Sequence, residues 1–168
     1  GALAVIIAEV IRGTPLPDAI TESVTLARTF TDSEETVSAI TLAMTLADTE
    51  PNQEKAIQTL GGGWIAEEAL AIALYACLSS PNLEQAVIAA ANHGGDSDST
   101  AAIAGNIAGA IHGVGCIPGR WMRQLELREL ITEVADDLFS CAEWPIDDHG
   151  WDESYPGIEW VLEKYPGC

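Results

Sequence analysis

Between residues 66 and 79 the chain offers a helix with almost no polar face. Ala69, Leu70, Ile72, Ala73, Leu74, Ala76, Cys77 and Leu78 leave no side of it hydrophilic. A helix that is apolar all round must be covered all round, so this one is expected at the centre of a core built by its neighbours. Those neighbours can be read in order. Helices are expected over residues 2–12, 17–30, 32–47 and 51–59, and again from Pro81-Asn82, where Leu83, Val87 and Ala90 mark one buried stripe. Gly13, Pro15 and Pro17 stop the first of them. A small-residue helix follows residue 100, then a short segment around Trp121 and an amphipathic helix over 126–141. No stretch alternates with period two for long enough to make a strand. Aromatics are only 6% of a chain that is 48% apolar, which also favours helix over sheet. The expectation is an all-α bundle: one domain over 1–143, and an acidic, aromatic tail over 144–168 packed on it.

The formal charge of −19 excludes a nucleic-acid footprint and disfavours anionic membrane surfaces. Cys77, Cys116, Cys141 and Cys168 form no Cys-x-x-Cys pair, so a reduced, cytoplasmic setting is expected, with Cys77 in the core. The first helix, Leu3 to Ala8, is apolar all round and is expected to be buried; with nothing upstream to cover it, the chain reads as a fragment.

Two segments carry chemistry. The first is Asn92-His93-Gly94-Gly95-Asp96-Ser97-Asp98-Ser99-Thr100, entering a helix in which Ala101, Gly105, Gly109 and Gly113 recur every fourth residue. Oxygen-only donors this close suit Mg²⁺, Mn²⁺ or Ca²⁺. The bland alternative is an N-cap, an Asp oxygen accepting from the first free helix amides. An EF-hand is excluded, because the sixth and twelfth positions from Asp96 are Ala101 and Ile107. The small-residue ridge is expected to meet another helix at close range. The second segment is Leu60-Gly61-Gly62-Gly63-Trp64, leading into Glu67 and Glu68 at a helix start. It offers a close backbone approach and a flat apolar face, with a helix start lidded by Trp64 as the plainer reading.

The order of glycine turn with Trp64, Ala-rich helix, Gly-Gly-Asp-x-Asp, small-residue helix, Ile117-Pro118 and Trp121 resembles bacterial ADP-ribosylglycohydrolases, including the dinitrogenase reductase-activating branch. Their metal motif is commonly Gly-Gly-Asp-Thr-Asp-Thr-Ile-Ala. The resemblance covers roughly residues 1–140 and is strongest over 60–121. It implies an all-α orthogonal multi-helix fold around a pair of Mg²⁺ ions, with Mn²⁺ in some members. It implies an enzyme that hydrolyses the glycosidic bond joining ADP-ribose to a protein side chain or small acceptor. On this chain the implied metal ligands are Asp96, Asp98 and Ser99, the last a Ser where Thr is usual. Ser97 likewise replaces Thr, and Thr100 stands where an apolar residue is common. The implied ADP-ribose contacts are Gly63 and Trp64.

One departure is severe. The family's early Gly-Asp motif and its Thr/Ser-Asp-Asp ligands are absent, so the general base and the remaining ligands are expected in a missing N-terminal half. Asp147-Asp148 reads as a solvated turn, and His93 and His112 as locally satisfied. The leading expectation is therefore the C-terminal part of a metal-dependent ADP-ribosylglycohydrolase, inactive alone, whose partners are an ADP-ribosylated substrate and its own N-terminal segment. The alternatives are a catalytically degenerate ADP-ribose-binding or crystallin-like structural member, and a helical interaction domain in which Asp96 and Asp98 only cap.

Overall fold

The structure is a computed structural model that describes residues 1–141 and 163–165. The helices are α1 (Ala2–Ile11), α2 (Leu16–Ala27), α3 (Glu34–Thr49), α4 (Gln53–Leu60), α5 (Ala66–Ser79), α6 (Leu83–Ala91), α7 (Ser97–His112), α8 (Gly119–Gln124) and α9 (Arg128–Ser140). One 3₁₀ turn, Val114–Cys116, follows α7. Among the described residues there is no strand, and the fold is all-α.

The expected central helix is central. Every residue of α5 from Ala69 to Ala76 is buried, and α3, α4, α6 and α7 all pack on it. Burying side chains such as Ile72 and Leu74 is worth about 1.5–3 kcal/mol each, and the interleaved alanines let neighbours come near on every side. The other helices present stripes to it: Ile40 and Ala43 from α3, Ala56, Ile57 and Leu60 from α4, Ala104 and Ile107 from α7. Tyr75 points its hydroxyl at the Glu50 carbonyl, 3.4 Å away, and burial raises its pKa. The Cys77 thiol lies against the Ala104 carbonyl at 3.5 Å, and burial pushes its pKa up to about 12.

Two packing expectations change. In α1 only Ile6 is fully buried, because α2 and α7 cover the helix on part of its circumference. The glycine ridge of α7 is not its packing face. Thr100, Ala104, Ile107 and Ala108 are buried instead; a Cβ at Gly105 would make ordinary contact with Val87 at 3.9 Å, and one at Gly109 or Gly113 would meet nothing within 4 Å. The stripe of Ala104, Ile107 and Ala108 sits on α5 and α6, which turns the ridge outward.

The chain divides into two units, residues 1–121 and 122–168. In the first, Trp121 and Ile117 pack on Leu83, Ala86 and Ala108, and Arg120 pairs with Glu84 while its guanidinium lies 5.6 Å from the Trp121 ring centroid. In the second, Lys164 bridges Glu133 (2.7 Å) and Asp137 (2.6 Å), and Tyr165 donates to Asp137. The 143/144 boundary, Asp147-Asp148 and the tail aromatics Trp144, Trp151 and Trp160 lie outside the described residues.

Candidate functional site

The two segments singled out in the sequence are far apart in the chain and touch in the fold. Asp96 N–H donates to the Gly62 carbonyl at 2.8 Å. Gly95 lies flat on that same carbonyl, where any Cβ would collide with the Gly62 backbone. Gly63 adopts φ +76° with Thr100 beside it; an added Cβ would stand 2.7 Å from Thr100 Cγ2. Only glycine fits such a left-handed, crowded position. The spacing inside each motif hinted at close approach, but nothing in it named the other motif as the partner.

The glycine turn is held from behind by Glu68, in the first turn of α5. One carboxylate oxygen, Oε2, accepts both the Gly62 and Gly63 N–H groups at 3.0 Å. A Glu at this helix position ordinarily reaches back to the N-cap amide; here it reaches further, into the turn. The sequence places Glu68 at a helix start, and nothing in its spacing marks this grip. Trp64 then stands 72% exposed, its indole edge over Gly62. It is not the packing lid of the plainer reading, and its free face is open to a ligand.

The metal-type loop is held by a polar network. His93 Nδ1 accepts from Gly95 N–H at 3.1 Å, its Nε2 lies 2.9 Å from Thr100 Oγ1, and the Thr100 hydroxyl donates to the Ala90 carbonyl at 2.7 Å. This wiring uses the Nε2–H tautomer of His93, and among the described residues no buried side-chain nitrogen or oxygen is left unpaired. Thr100, fully buried, thereby ties α7 to α6. Ser97 closes the loop by donating to the His93 carbonyl at 3.1 Å.

The loop caps the helix weakly at most. Asn52 and Asn82 each accept an amide bond at 3.0 Å at the starts of α4 and α6, whereas Asp96, in the equivalent place before α7, makes no bond of that geometry, the Ser99 amide contributing only the least of the hydrogen bonds that lower its pKa. Asp98 is exposed on the first turn of α7, beside the Asp96 carboxyl. The Asp96 carboxyl is held below the usual carboxylate range, first by the Ser99 hydroxyl and then by Asp98, so it stays ionised. Asp96, Asp98 and Ser99 thus present a small set of hard oxygens at a positive helix end. That chemistry fits Mg²⁺ or Mn²⁺, but three such donors would fill only part of a coordination sphere. Among the described residues no group of three or more His, Cys, Asp or Glu side chains gathers around one point.

Two clefts flank these loops. One, of about 330 Å³, is polar and lies between α4 and the metal-type loop, lined by Gln53, Gln58, Asn92, His93 and Gly94. The other, of about 520 Å³, is mostly apolar and is lined by Leu26, Phe30, Ala66, Leu70 and Ile103. No described helix is long and apolar enough to cross a membrane.

Comparison with known proteins points to one family. The ADP-ribosylglycohydrolase family profile matches residues 1–146. The chain is 36% identical over 93 residues to the ADP-ribosylarginine hydrolase Tri1 of Serratia proteamaculans, covering 55% of this chain and 25% of that protein. The Tri1 protein of Pseudomonas putida matches with the same identity and coverage. The ADP-ribosyl-[dinitrogen reductase] glycohydrolase of Rhodospirillum rubrum is 42% identical over 59 residues, 33% of this chain and 20% of that protein. The chain spans about a quarter of the length of the curated relatives it matches. No solved structure matches it.

Proposed function

The chain belongs to the ADP-ribosylglycohydrolase family, and on that premise we propose that it carries one side of a magnesium-dependent site that hydrolyses ADP-ribose from a protein side chain. The observation that supports this most is the junction of Gly62 with Asp96, which sets an exposed Trp64 beside the Asp96 and Asp98 carboxylates. Asp96, Asp98 and Ser99 would hold the cation. When bound there, it supplies Lewis-acid polarisation of ribose oxygens and an acidified water. Trp64 gives an aromatic face, and the close-packed Gly63 lets a ligand approach the backbone. Glu68, His93 and Thr100 fix the two loops in register. The further ligands and the general base come from parts of the fold outside these residues, so the chain alone does not hydrolyse. Cys77, Cys116 and Cys141 are free, which suits a reducing cytoplasm.

The incomplete donor set also favours a second reading, a member that binds ADP-ribose without cleaving it. One experiment separates the two. In the protein containing the whole fold, Asp98→Asn is assayed on an arginine-linked ADP-ribosyl protein, the linkage named in the Tri1 relatives. Activity falls by at least about a hundredfold with the melting temperature in chelator unchanged, since Asp98 is exposed and Asn keeps its size while losing the ligand charge. Equal activity in the variant would defeat the metal assignment, and no activity in the unmutated protein, with ADP-ribose still bound, would favour the second reading.

A further inference from the structure

We infer that Glu68 is a positioning residue, which orients the 62–63 peptide plane and through it both the Trp64 turn and the Asp96–Asp98 loop. The inference rests on the reading of this site as one for ADP-ribose and a divalent cation. Gly63 N–H and the Gly62 carbonyl belong to a single planar trans peptide, with donor and acceptor on opposite edges. Glu68 Oε2 takes the donor at 3.0 Å, and Asp96 N–H meets the acceptor at 2.8 Å. The plane is therefore gripped at both edges, and turning it breaks both bonds together. It is also a plane free to rotate in the absence of that grip, since glycine stands on both sides and has many backbone conformations to choose from.

The neighbours leave the carboxylate little alternative. Gly61 adopts φ +119° and gives the Glu68 carboxylate the space a side chain would fill, and Gly62 N–H adds a second bond to the same oxygen at 3.0 Å. Glu67, one residue away, makes no such bonds and faces the apolar cleft. A pure helix-end charge effect would treat Glu67 and Glu68 alike. The geometry does not.

The test uses three variants of this chain: Glu68→Ala, Glu68→Asp and Glu68→Gln. Amide hydrogen exchange is followed by NMR at Gly63, Asp96 and, as a core reference, Leu74, and ADP-ribose affinity is measured by calorimetry. In Glu68→Ala, exchange at Gly63 and Asp96 rises about tenfold or more and ADP-ribose binding weakens about tenfold, with Leu74 unchanged. Glu68→Asp behaves like Ala, because the charge stays at the helix end while the oxygen is withdrawn by one methylene. Glu68→Gln, whose carbonyl keeps the reach, recovers to within about threefold of the unmutated chain. Exchange at Asp96 within about twofold of normal in Glu68→Ala, full function in Glu68→Asp, or a Leu74 change as large as that at Gly63 would each overturn the inference. If the unmutated chain takes up no ADP-ribose but Asp96 exchange still responds to Glu68→Ala, the ligand reading fails and the two-edged grip stands.

Discussion

Gly94 and Gly95 are adjacent and should respond to alanine in opposite directions. At Gly95 a Cβ enters the space of the Gly62 backbone carbonyl, and neither partner is a flexible side chain that could swing aside. The loops must part, and the 2.8 Å bond from Asp96 N–H to Gly62 is lost or stretched. Losing that bond is worth about 0.5–1.5 kcal/mol, and forcing the two backbones apart costs about 1–3 kcal/mol. The expected destabilisation by Gly95→Ala is therefore about 1.5–4.5 kcal/mol. At roughly 2–4 °C per kcal/mol, the melting temperature falls by about 3–18 °C. At Gly94 nothing lies within 4 Å and φ is not positive, so Gly94→Ala only restricts the unfolded chain and stabilises by about 0.4–1 kcal/mol. Urea unfolding of both variants measures the difference, and NMR reports whether Asp96 N–H stays protected. Gly95→Ala within about 0.5 kcal/mol of normal, or Gly94→Ala equally damaging, would refute the contact between the two loops.

Gly109→Ala should stabilise α7 by about 0.5–1 kcal/mol, since its Cβ meets open space; a loss of stability on thermal melting would restore the packed ridge expected from the sequence. With a thiol reagent at mild alkaline pH, exposed Cys116 and Cys141 should be labelled and Cys77, pushed up to about 12, should not; peptide mapping that finds Cys77 modified in the folded chain would contradict its burial between α5 and α7. Ser99→Ala should raise the Asp96 titration midpoint seen by carboxyl ¹³C NMR, because the Ser99 hydroxyl is the first cause holding it low. A depressed carboxylate contributes stability above its unfolded value that is lost as pH falls through its folded value, so the variant's deficit should be present at neutral pH and close in acid. A deficit that grows in acid would reverse the assignment.

The helical core was legible because its signals are local and periodic. The absence of a polar face on α5 fixed its central place, and Pro15, Pro17, Pro81 and the glycine turn marked the ends of helices to within a few residues. The face of α7 was misread. Glycine every fourth residue is as compatible with an open face as with a crowded one, and the decision lies with Ala104, Ile107 and Ala108, whose partners are on α5 and α6. In the site, Asp96, Asp98, Ser99, Gly63 and Trp64 could be singled out by type and spacing. Their junction could not, because a backbone bond from Asp96 to Gly62 leaves no trace in side-chain identity. Glu68 and Thr100 were visible as residues but not as clamps, since both act on backbone groups: Glu68 on Gly62 and Gly63, Thr100 on Ala90.

Manganese uptake by this chain, followed by loss of the free-ion paramagnetic signal and compared with Asp98→Asn, tests the central assignment most directly. Asp96, Asp98 and Ser99 supply a partial shell, so the chain should bind Mn²⁺ weakly and saturably, and Asp98→Asn should abolish that binding without lowering the melting temperature in chelator. Unchanged Mn²⁺ uptake in Asp98→Asn would mean that the Asp98 carboxylate holds no cation and that this loop is not a metal site.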